Sequence, residues 1–304
     1  METHVVTGAY SYTGKYIARR LLADGISVRT LTNHPRRDDP LSADIEVFPL
    51  DFDDYDALVS VLTGATTLYN TYWIRFPHGP LTFAKAVQNS LMLLKAAEAA
   101  GVRRIVHVSI TNASSSSPLP YFWGKGLVEE AIMASGLAYS IIRPTVVFGD
   151  EDILINNIGW SLRRFPLFTV PGSGEYSLQP IYVDDLAALA VNAGRGNDNV
   201  VMDAAGPERY TYPELVRLVA ESIGVRARLV GLPPSVVHWM AWGIGMLVRD
   251  TVLTRDELRG LMADLLVSDE PPQGHTSLRG WLVDHQANIG TRYASEMERH
   301  YRQG

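Results

Sequence analysis

Residues 7–16 read TGAYSYTGKY and lie between an apolar run at residues 4–6 and an amphipathic helical pattern, GKYIARRLLADG, at residues 14–25. This order of strand, loop and helix favours an anion site, because N–H groups at a helix start and the helix dipole both attract phosphate. A dinucleotide site uses three glycines, for the turn, the approach of the pyrophosphate and close helix packing. Gly8 and Gly14 fit two of these places, and Ser11 takes the middle one. The loop predicts a dinucleotide site with one departure, which would be strained if the φ angle of Ser11 were positive.

Two other interpretations of this loop exist. A nucleoside triphosphate site requires the pattern G-x-x-x-x-G-K-[ST]. Here Ala9 stands five residues before Gly14, and Tyr16 follows Lys15 where a magnesium-binding hydroxyl is needed, so two fixed positions fail. The second alternative, a tight turn without a ligand, stays open on the loop alone.

The composition argues against several classes of function. The chain has 304 residues, 46% of them hydrophobic, and a formal net charge of −6, which gives no general attraction to nucleic acid or to an anionic membrane. It contains no cysteine, which excludes disulfide frameworks, thiolate nucleophiles and cysteine zinc sites. The eight histidines lack metal-ligand spacing, so no metal is expected. No basic region followed by an apolar stretch opens the chain, and a cytoplasmic protein is therefore expected.

The alternation of strand and helix patterns predicts the fold class. Six β-rich runs, HVVTGAY, ISVRTLT, IEVFPL, TTLYNTY, RIVHVSI and YSIIRPTVVFG, alternate with helical patterns at residues 14–23, 54–63, 81–100 and 121–135. Such an order implies right-handed crossovers and a parallel sheet covered on both faces. We expect an α/β chain: a Rossmann-type, doubly wound parallel sheet over residues 1–205, with segments from about residue 150 contributing to a substrate pocket. A smaller, mostly helical substrate or lid region is expected over residues 206–304.

The last hundred residues carry local signals of their own. Thr211 with Glu214, and Thr254 with Glu257, have the spacing of capping boxes, which predicts a helix start at each place. The run ARLVGL at residues 227–232 predicts one strand among the helices.

The longest apolar run, VVHWMAWGIGMLV, covers residues 236–248. It is shorter than the roughly 20 residues that a spanning helix needs, so no membrane span is expected. Trp239, Trp242 and Met246 lie near helical spacing, which predicts a packed helix with these side chains on one buried face. Such a helix could cover the substrate pocket or form a subunit contact.

The second strand governs the choice of cofactor. An acidic residue about 20 positions after the glycines would bind the ribose 2′-hydroxyl of NAD. Residues 28–37 read VRTLTNHPRR, contain no acidic residue, and offer Asn33, Arg36 and Arg37. Because arginine binds a 2′-phosphate through charge-assisted hydrogen bonds, the pattern favours NADP over NAD. Solvated loop charges are the alternative, and NAD stays open.

Tyr121 and Lys125, in YFWGK, stand four residues apart at the start of a helical pattern and would share one helix face. A lysine there can hold the nicotinamide ribose, and its charge lowers the pKa of the tyrosine from the usual value of about 10. The phenol then becomes a usable acid and base near neutrality. By itself this spacing is also typical of two surface residues. Its place after the fifth strand, at the carboxyl edge of the sheet, favours the functional interpretation.

Taken together, these motifs resemble the extended and atypical short-chain dehydrogenase/reductase superfamily. The resemblance covers most of the chain and runs through TGAYSYTG, LDFDD, NSLMLLKAAEAAGVRRIVHVS, YFWGK, IIRPTVVFGDED, QPIYVDDLA and DAAGPERYTYPELV. The most similar branch is the atypical one that includes the NDUFA-nine-like complex I subunit, NmrA-like proteins and NAD-dependent epimerase/dehydratase proteins. The sequence departs from the family pattern at Ser11, at Asn33, where a basic residue is expected, and at Trp123.

The resemblance implies roles for residues at matching positions. Tyr121 would be the proton donor or acceptor, and Lys125 the ribose ligand that lowers its pKa. Thr111 would orient the substrate, and Asn89 would support a proton relay. The implied cofactor-binding residues are Gly8, Tyr10, Ser11, Tyr12, Thr13, Gly14, Asn33, Arg36, Arg37, Asp51, Phe52, Asn70, Thr71, Lys125 and Pro144.

The predicted function is that of an NAD(P)-dependent oxidoreductase of the epimerase/dehydratase type, with a small-molecule substrate that carries a carbonyl or hydroxyl group. The alternative is a non-catalytic NADP(H)-binding sensor or assembly protein, since some members of this branch bind the cofactor without turnover. No nucleic-acid partner is expected, and a homodimer stays open. An aromatic run after the fourth strand could line the pocket or pack as core or lid; it comprises Tyr69, Tyr72, Trp73, Phe76 and His78.

Overall fold

The computed structural model describes residues 2–36 and 38–300. The strands, in chain order, are β1 (Thr3–Thr7), β2 (Ser27–Leu31), β3 (Ile45–Phe48), β4 (Thr67–Asn70), β5 (Arg104–Val108), β6 (Ala138–Pro144), β7 (Val146–Phe148), β8 (Phe168–Pro171), β9 (Ser177–Leu178), β10 (Pro180–Tyr182), β11 (Val200–Ala204), β12 (Tyr210–Thr211) and β13 (Leu229–Leu232). The helices are α1 (Tyr12–Ala23), α2 (Tyr55–Leu62), α3 (Phe83–Ala99), α4 (Pro120–Ala134), α5 (Leu154–Arg164), α6 (Val183–Arg195), α7 (Tyr212–Ser222), α8 (Pro234–Val248), α9 (Arg255–Met262), α10 (Leu278–His285) and α11 (Glu296–His300).

A parallel sheet organises the first half of the chain. Within the described residues its seven strands lie in the order β3-β2-β1-β4-β5-β6-β11. Strands β4 and β5 are buried along their whole length, as expected for a parallel sheet with helices on both faces. The predicted doubly wound fold is confirmed, and five of the six predicted runs supply one strand each to this sheet. The sixth, YSIIRPTVVFG, divides into β6, which belongs to the sheet, and β7, which pairs with β10 instead. The strand order reverses between β1 and β4, so the carboxyl ends of these strands form the switch point at which such sheets bind ligands.

The chain divides into two compact units. The first comprises residues 1–144 and 183–204, and it contains the whole parallel sheet. Its core packs side chains of the sheet against α2, α3 and α4, among them Leu68, Leu93 and Ile132. The second unit comprises residues 145–182 and 205–304. Residues 145–182, which the sequence analysis assigns to the first region, are therefore part of the second unit.

The second unit combines short strand pairs with helices around its own core. Strand β7 pairs with β10, β8 with β13, and β9 with β12. Buried side chains of α5, α7 and α10, among them Ile155, Leu215 and Trp281, pack together in that core. Both predicted capping boxes are confirmed, since the threonine and glutamate side chains at the starts of α7 and α9 each bond the partner backbone N–H.

Helix α8 confirms the helix predicted over the apolar run, but the predicted orientation is wrong. Trp239, Trp242 and Met246 are 63%, 54% and 58% exposed, whereas Val237, Ala241 and Gly245 occupy the buried face. The prediction failed because the run is apolar on all sides, so its pattern could not identify the face that packs. In the described part of the chain, no helix has the length and hydrophobicity required to cross a bilayer.

Candidate cofactor and active site

The glycine loop between β1 and α1 is closely packed. Gly8 has a φ of +67°, a left-handed conformation that favours glycine. A Cβ on Gly14 would lie 2.2 Å from the carbonyl oxygen of Gly8. The second glycine is therefore required by the close approach of helix α1 to the loop, as in the third place of a dinucleotide fingerprint.

Ser11 fits the middle place without backbone strain. It is the N-cap of α1 with φ −80° and ψ 168°, in the extended region that any residue adopts. Its Oγ would lie 3.0 Å from a Cβ on Gly8 and 3.1 Å from one on Gly14, so the hydroxyl packs against both glycines. Within the described residues the Ser11 side chain makes no capping hydrogen bond. The first-turn N–H groups of a helix lack intrahelical acceptors, and here the N-cap side chain does not compete for them.

The other loop residues differ in exposure. Tyr10 is buried, and Tyr12 and Thr13 are half-buried in the first turn of α1. Lys15, which the phosphate-loop pattern would need as a ligand, instead lies 3.9 Å from a carboxylate oxygen of Asp39. No acidic side chain occupies the first turn of α1, which is itself fully described, so nothing there opposes an anion.

The ends of β1 and β4 are joined beside this loop. The hydroxyl of Thr7 accepts the N–H of Thr71 at 2.8 Å, and the Thr71 hydroxyl donates to the Thr7 carbonyl at 2.6 Å. The buried Asn70 side chain accepts the N–H of Tyr72 at 3.0 Å and lies 3.2 Å from the Nδ1 of His107. These contacts hold the switch point rigidly, and they occupy the Asn70 and Thr71 side chains predicted to contact cofactor.

The predicted selectivity residues follow β2 and β3. The carboxamide of Asn33 bonds both backbone groups of Leu50, at 2.8 and 3.0 Å, and so ties the two strand ends together. Arg36 is exposed, and Arg37 lies outside the described residues. Asp51 is exposed and accepts the N–H of Asp53 at 2.9 Å. Among the described candidates, Arg36 is the exposed cation in the loop that follows β2.

Asn89 lies beside the phenol of Tyr72. Its Nδ2 donates to the hydroxyl of Tyr72 at 2.8 Å, and burial raises the pKa of Tyr72. The ring of Tyr72 also lies 4.8 Å from that of Phe52. Asn89 on α3 therefore positions Tyr72, two residues after the end of β4. Tyr72 and Phe52 together form an aromatic surface at the carboxyl edge of the sheet.

Tyr121 lies in the first turn of α4 within an aromatic cluster. Its ring meets those of Trp73 and Phe83 edge-on, with centroids 6.1 and 5.8 Å apart. The cluster depends on Gly124, because a Cβ there would lie 2.9 Å from the indole of Trp73. Two of the aromatic residues predicted after the fourth strand, Tyr72 and Trp73, thus pack in the same cluster as Tyr121.

Lys125, one turn later, is 2% exposed. Its ammonium donates to the carbonyl of Val108 at 2.7 Å and lies 4.8 Å from the centre of the Trp73 ring. Burial lowers the pKa of Lys125 to about 7, and the nearby carboxylate of Glu129 opposes this shift. The lysine is a group whose charge changes near neutrality, at the carboxyl end of β5.

Glu129 completes a charged face of α4 that sequence reasoning missed. It is 2% exposed, and its carboxylate accepts the Nε of Arg143 at 3.0 and 3.1 Å, a second Arg143 nitrogen, and the hydroxyl of Ser109. Because Tyr121, Lys125 and Glu129 are spaced by four residues, they share one face of the helix. Extending the Tyr-x-x-x-Lys pattern by one more turn could have found Glu129.

Thr111 and Pro144 are brought together at the ends of β5 and β6. The N–H of Thr111 donates to the Pro144 carbonyl at 2.9 Å. The buried Thr111 hydroxyl donates to the carboxylate of Asp203 on β11, also at 2.9 Å. The sequence analysis missed both Asp203 and its strand, because β11 is a short run whose partner β6 lies about 60 positions earlier in the chain. The same hydroxyl oxygen accepts the Nδ2 of Asn112 at 3.5 Å.

His107 of β5 is a buried neighbour of this site. Its Nδ1 faces the Asn70 amide, as a satisfied core histidine would, while among the described residues its Nε2 meets no hydrogen-bond partner. Burial keeps the pKa of His107 well below its usual value, with a smaller effect from the Lys125 charge. The imidazole is therefore neutral, and Lys125 carries the titrating charge in this part of the sheet.

The chain has relatives among known proteins. The family model described as NAD(P)H-binding matches residues 8–156. A mitochondrial NADH dehydrogenase [ubiquinone] 1 alpha subcomplex subunit 9 from Arabidopsis thaliana is 27% identical over 283 residues, covering 87% of this chain and 70% of its own. The mitochondrial 40 kDa subunit of NADH-ubiquinone oxidoreductase from Neurospora crassa is 24% identical over 278 residues, with 88% and 73% covered.

Solved structures share the fold. An NADPH-dependent quinone oxidoreductase from Escherichia coli, complexed with NADPH, superposes with a TM-score of 0.77 at 20% identity, over 94% of this chain and all of that chain. A nucleoside-diphosphate-sugar epimerase from Staphylococcus aureus gives 0.71 at 20% identity, over 93% of this chain and all of that one. At such identities the likeness concerns the fold alone. The glycine loop, the NAD(P)H-binding match over residues 8–156 and the NADH dehydrogenase relatives support the resemblance of this chain to the atypical branch of the short-chain dehydrogenase/reductase superfamily.

Proposed function

We propose that this protein is an NADP(H)-dependent oxidoreductase of the epimerase/dehydratase type that acts on a carbonyl or hydroxyl group. The observation that carries the proposal is the burial of Lys125 one helical turn after Tyr121, at the carboxyl end of β5. Burying an ammonium costs free energy that hydrogen bonds must offset, and titratable groups with shifted pKa values concentrate at functional sites.

The residues at the switch point suit a dinucleotide. The left-handed Gly8, the close contact of Gly14 and the uncapped start of α1 form a cradle for a pyrophosphate. Arg36 after β2 would pair with a 2′-phosphate, as would Arg37, which lies outside the described residues. When bound, the nicotinamide would supply or accept the hydride.

The residues of α4 and β5 would handle the proton. Tyr121 would give its phenolic proton to a substrate carbonyl oxygen, or take one from a substrate hydroxyl in the reverse direction. Lys125, when protonated, would stabilise the resulting phenolate and hold the ribose. Thr111, whose hydroxyl donates to Asp203, would accept a hydrogen bond from the substrate hydroxyl and so orient it.

A second candidate is a non-catalytic NADP(H)-binding sensor or assembly subunit. It is favoured by the relatives described as subunits of NADH dehydrogenase. In that role the cofactor would stabilise the first unit through its binding free energy. The compartment also differs, because these relatives are described as mitochondrial, while the cytoplasmic assignment stays a prediction from the sequence.

The first experiment tests cofactor binding through the melting temperature in the presence of NADPH, NADP⁺, NADH or NAD⁺. NADPH and NADP⁺ are expected to raise it more than the NAD pair. Gly14→Ala should abolish the rise, because the added Cβ collides with the Gly8 carbonyl. Ser11→Gly is the matched control and should retain it, since Ser11 already has a negative φ. If no nucleotide raises the melting temperature, the cofactor assignment is lost.

The second experiment tests catalysis. Consumption of NADPH would be followed with a panel of quinones and other carbonyl compounds, and epimerisation with sugar nucleotides. Tyr121→Phe should lower turnover by about 10²-fold or more, because the general acid is lost, and should leave the NADPH-induced rise in melting temperature intact. Binding without turnover of any compound in either protein would instead support the sensor or assembly role.

A further inference from the structure

Helix α8 carries a broad apolar surface that this chain does not cover. Its 15 residues include no charged side chain. The exposed large side chains are Val236, Trp239, Met240, Trp242, Met246 and Leu247. At 3.6 residues per turn they fall within one arc of about 160°. A helix that is apolar on all sides is normally buried on all sides, so the exposed arc is a surface for another phase or molecule.

Two further exposed apolar residues lie on or beside strands near the helix. Helix α8 packs against β8, and exposed Leu167 directly precedes that strand. The N–H of Phe168 donates to the carbonyl of Arg228 at 2.9 Å, which places Leu167 beside the start of β13. Exposed Val230 lies on β13 itself. These residues and the exposed arc of α8, together called the α8 surface, belong to the second unit.

Arginines flank the α8 surface in a chain that is acidic overall. Residues 225–249 contain three arginines, Arg226, Arg228 and Arg249, and no acidic residue, although the whole chain has a net charge of −6. Arg226 and Arg228 are exposed just before β13, and exposed Arg249 is the C-cap of α8. Because salt screens charges beyond about 10 Å at 0.1 M, this local excess of positive charge acts on a nearby surface more strongly than the distant acidic groups do.

We propose that the α8 surface docks on an anionic lipid bilayer, with α8 lying in the plane of the headgroup region. Tryptophan is suited to this region because it has an apolar body and an N–H donor. Methionine and leucine side chains would enter the acyl boundary, and the flanking arginines would bind lipid phosphates. The helix is too short to span, so the protein would lie on the membrane rather than in it.

The charge distribution favours a bilayer over a second copy of the chain. A two-fold dimer places the same patch of both copies in contact, so each arginine-flanked surface would face another of the same sign. Of the acidic neighbours, Asp256 pairs with Arg259, and Asp250 offsets the charge of the adjacent Arg249 while it accepts hydrogen bonds from Tyr293 and from the start of α11. Arg226 and Arg228 carry the remaining positive charge of the surface. An anionic membrane offers the complementary charge.

The test is flotation of the full chain with vesicles of phosphatidylcholine, with and without phosphatidylglycerol. The wild type should float with the anionic vesicles, less with neutral ones, and less as salt rises. Trp239→Ser combined with Trp242→Ser should lower the partition coefficient by about tenfold or more. Arg226→Gln with Arg228→Gln should remove the preference for phosphatidylglycerol. Met133→Ser, at a 41% exposed methionine on α4, is the control and should float like the wild type.

Circular dichroism and thermal melting establish that each variant is folded before flotation is compared. The proposal is overturned if the wild type does not bind anionic vesicles, or if the tryptophan variant binds as the wild type does. It is also overturned if the wild type is a dimer without lipid and the tryptophan variant is a monomer, because the surface would then belong to a second copy. None of these outcomes depends on the cofactor or on turnover.

Discussion

Helices α4 and α8 depart from the ordinary pattern of burial in opposite directions. Helix α4, in the first unit, buries a lysine and a glutamate, Lys125 and Glu129, that are each 2% exposed. Helix α8, in the second unit, exposes Trp239 at 63% and Leu247 at 77%. Charged side chains are rarely buried fully unless they are paired, and large apolar clusters are rarely exposed.

The difference concerns where the free-energy cost of each arrangement is balanced. Each buried charge of α4 has a dedicated partner: Lys125 the carbonyl of Val108, and Glu129 the guanidinium of Arg143. Contacts within the first unit offset the free-energy cost of burying these two charges. Burial also lowers the pKa of Lys125 to about 7. The exposed side chains of α8 contribute little to the stability of the second unit. Their burial would yield hydrophobic free energy only if another surface covered them.

The largest effect in this comparison should come from breaking the ion pair between Glu129 on α4 and Arg143 on β6. Glu129→Gln removes the negative charge and leaves the Arg143 guanidinium without its carboxylate. We expect the free energy of unfolding to fall by about 3–5 kcal/mol, as for other buried pairs that lose one partner. Urea unfolding would measure this change. Glu130→Gln is the matched control on the exposed side of the same helix, where a change within about 0.5 kcal/mol is expected. Equal effects of the two substitutions would contradict the role given to burial.

The next effect is a pH dependence that belongs to Lys125. Burial lowers its pKa to about 7 from the ordinary value of 10.5, so between these values the unfolded chain binds more protons than the native one. The free energy of unfolding should therefore rise with pH across that window, by up to about 1.4 kcal/mol per pH unit from this group. Below pH 7 both states hold the proton, and the contribution is constant.

Unfolding free energies at pH 7 and pH 9 for three proteins would test this dependence. The wild type and Lys85→Met, a control at an exposed lysine of α3, should both gain stability relative to Lys125→Met over this interval. Other groups that titrate in this range cancel in the comparison. Parallel profiles for all three proteins would mean that Lys125 keeps its ordinary pKa.

The smallest effect is expected on the exposed face of α8. Leu247→Ser should change the free energy of unfolding by no more than about 0.5 kcal/mol, because the side chain has little to lose on the surface. Val237→Ser, at a 6% exposed position on the buried face, should cost about 1–3 kcal/mol through lost burial and a buried hydroxyl. A large loss for Leu247→Ser would mean that the α8 surface is covered within the protein itself.

Sequence reasoning reached the parallel sheet, the glycine loop and both capping boxes because each depends on contacts between near neighbours in the chain or on strict periodicity. It missed β11, whose pairing with β6 joins residues about 60 positions apart. It also missed Glu129 and Asp203 and assigned the wrong face of α8 to the core. In each case the deciding partner is distant in sequence, as Arg143 is for Glu129 and Thr111 is for Asp203.

The TGAYSYTGKY stretch thus determined a great deal alone: a strand, a turn that needs Gly8, and a helix that needs Gly14 to approach it. Steric contacts within a few residues of the chain decide these features, so the sequence alone predicts them. Only the tertiary structure decided that Ser11 has a negative φ, that Lys125 is buried beside Val108, and that the tryptophans of α8 face outward. The burial and the electrostatic environment of a residue depend on residues that are distant in sequence. The neighbours of that residue along the chain therefore do not specify them.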